Sequence, residues 1–145
     1  MIRDHFRVLV ADLTTGRGTV VLEDGRDEVA GGSGLAARLF ARYGRPDAPW
    51  DHPDQPLILA IGPLTGAFPL MSKTVFAFKS PYHDQYTESH AGGRSALALR
   101  FADLDALVIV GRAASTSFLD IGSRHVKLRS AGFLAGMEVQ ESGRL

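Results

Sequence analysis

The feature that most constrains the fold of this chain is a repeat: a glycine pair followed by a helical segment of small residues. The first copy, at residues 30–41, reads AGGSGLAARLFA, and the second, at 91–102, reads AGGRSALALRFA, so that 6 of 12 positions are identical. An apolar run, a turn with glycine and a second apolar run precede each copy, at 8–22 and 57–78. The sequence therefore predicts an internal pseudo-two-fold of strand, turn, strand, glycine pair and helix.

The glycine pairs place a helix N-terminus directly after residues without side chains. The first amides of a helix lack partners inside the helix, and the helix dipole adds partial positive charge there, so such a start is suited to anions. Two starts would hold one bilobed anionic ligand, or two copies of one. The alternative is that the glycines only form tight turns or close packing contacts. The sequence leaves both interpretations open for Gly31, Gly32, Gly92 and Gly93.

Composition narrows the class of protein. The 145 residues suit one domain that buries about two thirds of its unfolded surface. Lys plus Arg equals Asp plus Glu at 16 each, so no global field attracts nucleic acid or an anionic membrane. No segment has the length of a membrane span, and the N-terminus lacks the apolar region of a signal peptide. We therefore expect a cytoplasmic protein that binds neither nucleic acid nor membrane.

Cysteine is absent from the chain. Disulfides, thiolate zinc sites and an iron–sulfur cluster ligated from within this chain are therefore excluded. The nearest approach to a metal pattern is His83 and His90 with Asp84 and Glu88. This spacing matches no helical or hairpin pair of ligands, so a solvated loop is favoured over a metal site.

Hydrophobic periodicity predicts an α+β unit with more strand than helix. A first helix starts near Gly34 and ends at Gly44, residues 80–91 form a polar connection, and a helical segment begins at Phe133. Strands are predicted at 6–13, 19–24, 57–61, 73–79, 105–110, 117–121 and 125–129.

The second helix is predicted over 94–102. Its spacing places Leu97, Ala98 and Phe101 inward and Arg100 on the far side.

The segment from Gly32 to Ala37 also spells GxGxxA, a form of the dinucleotide-binding fingerprint. That fingerprint needs a buried apolar strand leading into the glycines, whereas residues 24–29 read DGRDEV. Leu35 occupies the place of the second glycine of a nucleophile elbow, so Ser33 is not expected to be a nucleophile. No catalytic residue is predicted in this chain.

Residues 57–111 resemble the N-terminal domain of the aldehyde ferredoxin oxidoreductases, the tungsten or molybdenum pyranopterin enzymes. The motifs that carry the resemblance are AIGPLTG, KSP, the second glycine pair and FADLDALVIVG. It extends to VLVADLTTG and AGGSGLAARLF upstream and to Gly136 downstream. The resemblance implies one such domain over 1–145, incomplete at its C-terminus.

In that family the domain is a duplicated, β-rich base for two pyranopterins, whose dithiolenes chelate one tungsten or molybdenum and whose phosphates are linked through magnesium. Other domains supply the cysteines of a four-iron cluster and most of the substrate cavity. The resemblance therefore implies a cofactor-supporting domain or subunit of an enzyme that oxidises aldehydes to carboxylic acids. Its partners would be the catalytic domains or subunit of that enzyme, with ferredoxin reached indirectly. The chain alone is not expected to be active.

Residue by residue, the resemblance implies cofactor contacts from Lys73, His90, Gly92 and Gly93, with a pseudo-symmetric set of Gly31, Gly32 and Ser33. Three of these depart from the family pattern. The family has arginine at the positions of Ser33 and Lys73, and asparagine at that of His90. Lysine keeps the charge but lacks the guanidinium fork that suits phosphate, and an imidazole is a poor magnesium ligand.

A second hypothesis is a freestanding, non-catalytic relative that acts as a binding or subunit-interaction module. It predicts an exposed apolar face, covered by self-association or by another polypeptide. Candidate members of that face are Phe68, Leu70 and Met71.

Overall fold

Apolar runs with side chains on both faces form the centre of a six-stranded mixed sheet. The computed structural model describes residues 4–123 and 125–144. Its elements are β1 (Phe6–Asp12), β2 (Arg17–Glu23), α1 (Gly32–Tyr43), β3 (Leu57–Ile61), β4 (Thr74–Lys79), β5 (Tyr86–Ala91), α2 (Ser95–Phe101), β6 (Ala106–Val110), β7 (Ser117–Ile121), β8 (Val126–Ser130), a 3-10 turn (Gly132–Leu134) and α3 (Val139–Ser142). The expected α+β fold, richer in strand than in helix, is confirmed.

The strand order is β2-β1-β6-β3-β4-β5, and β7 and β8 pair as a separate hairpin. The apolar strand β6 lies between β1, to which it is parallel, and β3, to which it is antiparallel. Each flanking strand has its own antiparallel partner on the outer side, β2 and β4 respectively. The two strand pairs of the sequence repeat therefore flank β6 symmetrically and run in opposite directions.

The two faces of the sheet carry separate cores. On one face α1 packs over alternate strand residues that include Val8, Ile58, Ala77 and Val108. On the other face α2 and the β7–β8 hairpin pack over the intervening residues, among them Leu107. The two helices of the repeat thus lie on opposite faces, which a rotation about an axis normal to the sheet does not produce. The repeat is symmetric in its strands and not in its helices.

The polar connection predicted at 80–91 is wrong in its second half, which is the edge strand β5. All six residues of β5 pair with β4. Tyr-Thr-Glu-Ser-His-Ala contains no apolar alternation because an edge strand is largely open to solvent. This strand carries the chain back along β4, so that α2 begins at the same end of the sheet as α1. We call this end, where Gly31, Gly32, Gly92 and Gly93 lie, the glycine end.

The inward face predicted for α2 is also wrong. The residues that α2 buries are Ala96 and Leu99, whereas Phe101 is 78% exposed. The guanidinium of Arg100 turns toward the sheet, where it meets the carboxylate of Asp105. A short helix leaves little apolar pattern from which to set its rotation, and the buried carboxylate decides which side chain turns in.

The KSP motif has a packing role at the opposite end of the sheet. Lys79 is 7% exposed. Its Nζ donates to the carbonyls of Pro46 (2.8 Å) and Ala48 (2.6 Å), and it pairs with Asp84 at 3.1 Å. The lysine therefore fixes the connection between α1 and β3. Among the residues described, no helix combines the length and apolar character needed to cross a bilayer.

Candidate functional site

All seven residues predicted as cofactor contacts lie at the glycine end. Gly31 caps α1 with a φ of 129°, and a Cβ at this position would lie 2.9 Å from the carbonyl oxygen of Ile61. Only glycine adopts this backbone so close to the end of β3. For Gly31, the packing interpretation therefore applies. Gly32 differs, because a Cβ there would meet nothing within 4 Å.

The start of α1 opens onto a cavity of about 400 Å³, which we call the α1 cavity. No side chain caps the helix, and no acidic residue occupies its first turn, so its first amides remain available as donors. Lys73 forms no ion pair with any residue that the structure describes. The cavity is lined by Gly32, Ser33, Gly62, Pro63, Leu64, Thr65, Leu70, Met71, Lys73 and Val75. It therefore combines helix amides and one lysine with apolar walls.

The second glycine pair reaches the same end through the β4–β5 ladder. Thr74 pairs with Ala91, so the segment that follows β5 lies across from the one that precedes β4. Gly92 and Gly93 are exposed, and a Cβ on either would meet nothing within 4 Å. The backbone amides of this segment are thus accessible to a ligand. The helix that follows, α2, has only seven residues, so its dipole is weaker than that of α1.

A carboxylate that sequence reasoning placed in a solvated loop connects the two halves of the site. Glu88 lies on β5 and contacts α1 through Ser33. The hydroxyl of Ser33 donates to its Oε2 at 2.6 Å, the Nε2 of His90 lies 3.1 Å from the same oxygen, and the phenol of Tyr86 donates to its Oε1. Ser33 and Glu88 are 55 residues apart, so no local pattern indicated this contact.

These hydrogen bonds keep Glu88 ionised. The Ser33 hydroxyl first, then Tyr86, and to a smaller extent His90, lower the pKa of Glu88 below its ordinary value, against the opposing effect of burial. The pKa of Tyr86 is raised, mainly by burial and further by the adjacent carboxylate. A negative charge therefore stands between two of the predicted phosphate contacts, Ser33 and His90.

The residues at the glycine end thus fall into two groups with respect to an anionic cofactor. The α1 amides at Gly32, Lys73 and the Gly92–Gly93 backbone form an open and electropositive group that suits a phosphate. Ser33 and His90 are already hydrogen-bonded to Glu88. Across residues 4–123 and 125–144, no three His, Asp or Glu side chains are grouped so as to hold a metal ion. Within the described part of the chain, the glycine end thus combines exposed backbone amides and a lysine without a cluster of metal-ligating side chains.

An exposed apolar loop borders the α1 cavity. Residues 62–72 connect β3 to β4, and three of their large side chains are open to solvent: Phe68 at 58%, Leu70 at 99% and Met71 at 53%. Leu70 also has a φ of 64°, a conformation that bulky residues seldom adopt. The sequence-based expectation of an exposed apolar face at these residues is confirmed.

Comparison with known proteins places this geometry in context. Residues 8–145 match the family model described as the aldehyde ferredoxin oxidoreductase N-terminal domain. The chain is 31% identical to the tungsten-containing aldehyde ferredoxin oxidoreductase of Pyrococcus furiosus and 33% identical to that of Thermococcus kodakarensis, over 94% of its own length in both cases. It spans only 23% of the length of each of these relatives.

A solved structure is also similar. It is the active site complex BamBC of benzoyl coenzyme A reductase, in complex with 1,5 dienoyl-CoA. The TM-score is 0.87 and the sequence identity 28%, over 97% of this chain and 22% of that one. The fold of this chain thus recurs in part of that complex.

Proposed function

The chain belongs to the aldehyde ferredoxin oxidoreductase family through the N-terminal domain of that family, and from this premise we propose that it is the cofactor-supporting domain or subunit of a tungsten or molybdenum pyranopterin oxidoreductase. The observation that carries the proposal is the convergence at one end of the sheet of an uncapped helix start, an open glycine pair and a lysine that forms no ion pair with the described residues. The pyranopterin-bound metal, when present, supplies the two-electron chemistry that oxidises an aldehyde to a carboxylic acid.

In this proposal the residues of the glycine end have different roles in binding the pyranopterin cofactor. The first amides of α1 at Gly32, the Lys73 ammonium and the backbone at Gly92 and Gly93 bind phosphate oxygens. Lys73 acts as a point charge. It lacks the two parallel N–H donors with which an arginine, the family's residue at this position, binds phosphate. Gly31 contributes by allowing α1 to start against the end of β3.

Ser33 and His90 take part in the proposed cofactor site indirectly, because both are hydrogen-bonded to Glu88. While each is hydrogen-bonded to that carboxylate, neither is free to donate to a phosphate. A carboxylate is an oxygen ligand of the kind that magnesium prefers, so a cation between Glu88 and a phosphate would remove their repulsion. We therefore assign Ser33 and His90 to positioning Glu88, and direct phosphate contacts to the other group.

The remaining activity lies with other polypeptide segments in this proposal. Since the chain spans 23% of its relatives and has no cysteine, the iron–sulfur cluster, the substrate cavity and the route to ferredoxin belong to a partner domain or subunit. From the family we infer an aldehyde substrate and either tungsten or molybdenum as the metal. From the sequence we infer a cytoplasmic location.

Elemental analysis of the protein tests this function. The protein is purified from its native host with whatever copurifies, and tungsten, molybdenum and phosphorus are measured per polypeptide by mass spectrometry. We expect near-stoichiometric metal with organic phosphorus in the wild type, and at least a roughly fivefold lower content in Lys73→Ala, because one charge-assisted contact to phosphate is lost.

The matched control for that variant is Lys127→Ala. Lys127 is exposed on β8 and lies outside the α1 cavity. Its metal content should equal that of the wild type. Wild-type protein free of both metals and of organic phosphorus would contradict cofactor binding.

A non-catalytic interaction module is the second candidate, and the exposed side chains of the 62–72 loop favour it. In this proposal Phe68, Leu70 and Met71 contact another polypeptide or a second copy of the chain. Metal-free protein that still copurifies with a constant partner, or that self-associates, would support the module over the cofactor-supporting domain.

A further inference from the structure

The outer edge of β2 has no strand beside it in the part of the chain that the structure describes. β2 is the outermost strand on its side of the sheet, and all seven of its residues pair with β1 in continuous register. An edge strand of this kind presents a row of backbone N–H and C=O groups on its outer side. These groups are available to a further strand.

β2 lacks the features that usually keep an edge strand from pairing. It contains no proline, no lysine and no bulge. Two of its large apolar side chains are open to solvent, Val20 at 43% and Leu22 at 58%. The other edge strand, β5, carries Glu88 and His90 and no large aliphatic side chain. Of the two edges of the sheet, β2 is therefore the one suited to strand addition.

The sequence of β2, Arg-Gly-Thr-Val-Val-Leu-Glu, is complementary to itself in the antiparallel direction. A two-fold axis normal to the sheet at Val20 places this residue opposite its own copy. Arg17 and Glu23, at the two ends, then lie opposite each other, and unlike charges across a strand pair are stabilising. A shift by one residue would pair side chains of opposite faces, and a shift by two would separate the charges.

The Arg17 side chain is available for this charge pair. It is exposed and forms no ion pair with the residues described. Glu23 is buried, and its carboxylate accepts from Nη1 of Arg42 at 2.7 Å. A carboxylate has lone pairs for more than one donor, so a second guanidinium can join it from the open edge.

The same pairing covers the two exposed apolar side chains of β2. They lie on the α2 face, because Val20 pairs with Leu9, a core residue of that face. In a pair centred on Val20, the two copies of this side chain contact each other across the axis. Leu22 lies opposite Gly18, over which Val126 packs so closely that a Cβ on the glycine would be 3.0 Å from it. Leu22 thus joins an apolar surface of the other copy.

From these observations we propose that two copies of this chain associate through their β2 edges, antiparallel and centred on Val20, to form one continuous sheet. A single strand pair buries less area than most stable interfaces, so we expect a weak dimer with a dissociation constant on the order of 10 μM. β2 carries none of the predicted cofactor contacts. The proposal therefore stands independently of the proposed cofactor function.

Cross-linking through a single introduced cysteine tests the contact and its register, because the chain has no cysteine of its own. In Val20→Cys, the paired residues have a Cα separation of about 4.5–5.5 Å, within the range of a disulfide. In the matched control Leu22→Cys, on the same strand and face, the two thiols are roughly 14 Å apart and cannot bridge. Under mild oxidation of the protein as purified, we expect at least roughly fivefold more covalent dimer from Val20→Cys.

Sedimentation of a second variant measures the contribution of the edge to association. Val20→Lys should raise the dissociation constant of the dimer at least roughly tenfold, because a lysine on an edge strand opposes pairing. Val139→Lys is the control, since Val139 is exposed on α3 and should leave the constant unchanged. Replacement of Phe68 and Leu70 by serine should not reduce the Val20→Cys cross-link, which separates this interface from the 62–72 loop.

The outcomes distinguish this dimer from other arrangements. Equal cross-linking of the two cysteine variants, cross-linking of neither, or an unchanged dissociation constant in folded Val20→Lys would each overturn the proposal. The melting temperature reports whether Val20→Lys is folded, and the cysteine variants decide the question if it is not. A disulfide from Val20→Cys to a different polypeptide would also overturn it and assign the β2 edge to that partner.

Discussion

At the scale of single residues, the glycines of the repeat are not equivalent. Gly31 has a positive φ and lies against the carbonyl of Ile61, so its lack of a side chain is required for packing. Gly32, Gly92 and Gly93 have open space where a Cβ would be. The close-packing interpretation thus applies to Gly31. The positive φ of Gly32 (53°) and Gly93 (96°) fits the tight-turn interpretation, whereas Gly92 has neither a contact nor a positive φ.

Replacement of Gly31 by alanine should lower the free energy of unfolding by about 1–3 kcal/mol, because the new Cβ enters both a strained backbone and a carbonyl contact. Gly92→Ala is the matched control, since no contact and no positive φ oppose it, and should change stability by less than about 0.5 kcal/mol. Urea denaturation of both variants measures the difference. Equal stabilities would show that the start of α1 relaxes freely.

Which residues form the site could be predicted only in part at this scale. The glycine pairs follow from a motif that is local in sequence, and Lys73 from the resemblance to the family. Glu88 was missed because its significance depends on Ser33, which belongs to another element. The sequence does not distinguish one polar residue from its neighbours in a polar segment. The role of Glu88 becomes visible only once β5 is known to lie beside α1.

At the scale of elements, β5 determines where the candidate site lies. The apolar runs that identified β1, β3 and β6 are missing from an edge strand, so the sequence predicted a polar connection there. Without β5, the chain would leave β4 at Lys79, the end of the sheet away from Gly31. With β5 in place, both glycine pairs meet at one end. The most polar strand of the sheet is thus the one that assembles the site.

The contact between α1 and β5 should make stability depend on pH. Because the folded state lowers the pKa of Glu88 from its ordinary value of 4.5, its contribution to stability is present above that value and is lost as pH falls through the lowered pKa. In Glu88→Gln, this acid-dependent loss should be smaller than in the wild type. Urea denaturation between pH 7 and pH 3 measures how the free energy of unfolding changes with pH in the wild type and in Glu88→Gln.

The control for that experiment is Asp120→Asn. The pKa of Asp120 is also lowered, by His125 and Arg129, but these three residues belong to the β7–β8 hairpin, which packs on the face of the sheet opposite α1. In Asp120→Asn, the part of the dependence of stability on pH that is due to Glu88 should be unchanged. Identical profiles for the wild type and Glu88→Gln would contradict a role for Glu88 in joining α1 to β5.

At the scale of the whole molecule, the sequence predicted the fold class and most strands but not their order. Hairpins such as β1–β2 follow from short turns between alternating runs. The pairing of β1 with β6 joins segments almost a hundred residues apart, for example Val8 with Ala106. The sequence repeat correctly indicated two strand pairs, yet the opposite placement of the helices depends on packing that only the complete sheet defines.

The exposed 62–72 loop should control association of the whole molecule. Replacement of both Phe68 and Leu70 by serine should shift the protein to a smaller sedimenting species, because about 58% and 99% of these side chains are available to a partner. Val139→Ser is the control, since Val139 is 88% exposed on α3 and does not belong to the 62–72 loop. Unchanged sedimentation of the double variant would remove this loop from any interface.

The 62–72 loop forms a common wall between the α1 cavity and a second cavity on the α2 face of the sheet. Pro63, Leu64 and Thr65 line both, and the buried hydroxyl of Thr65 has no hydrogen-bond partner among the residues described. A ligand that shifts this wall from one side changes the space on the other. A substitution at Pro63, Leu64 or Thr65 should therefore change the shape of both cavities at once.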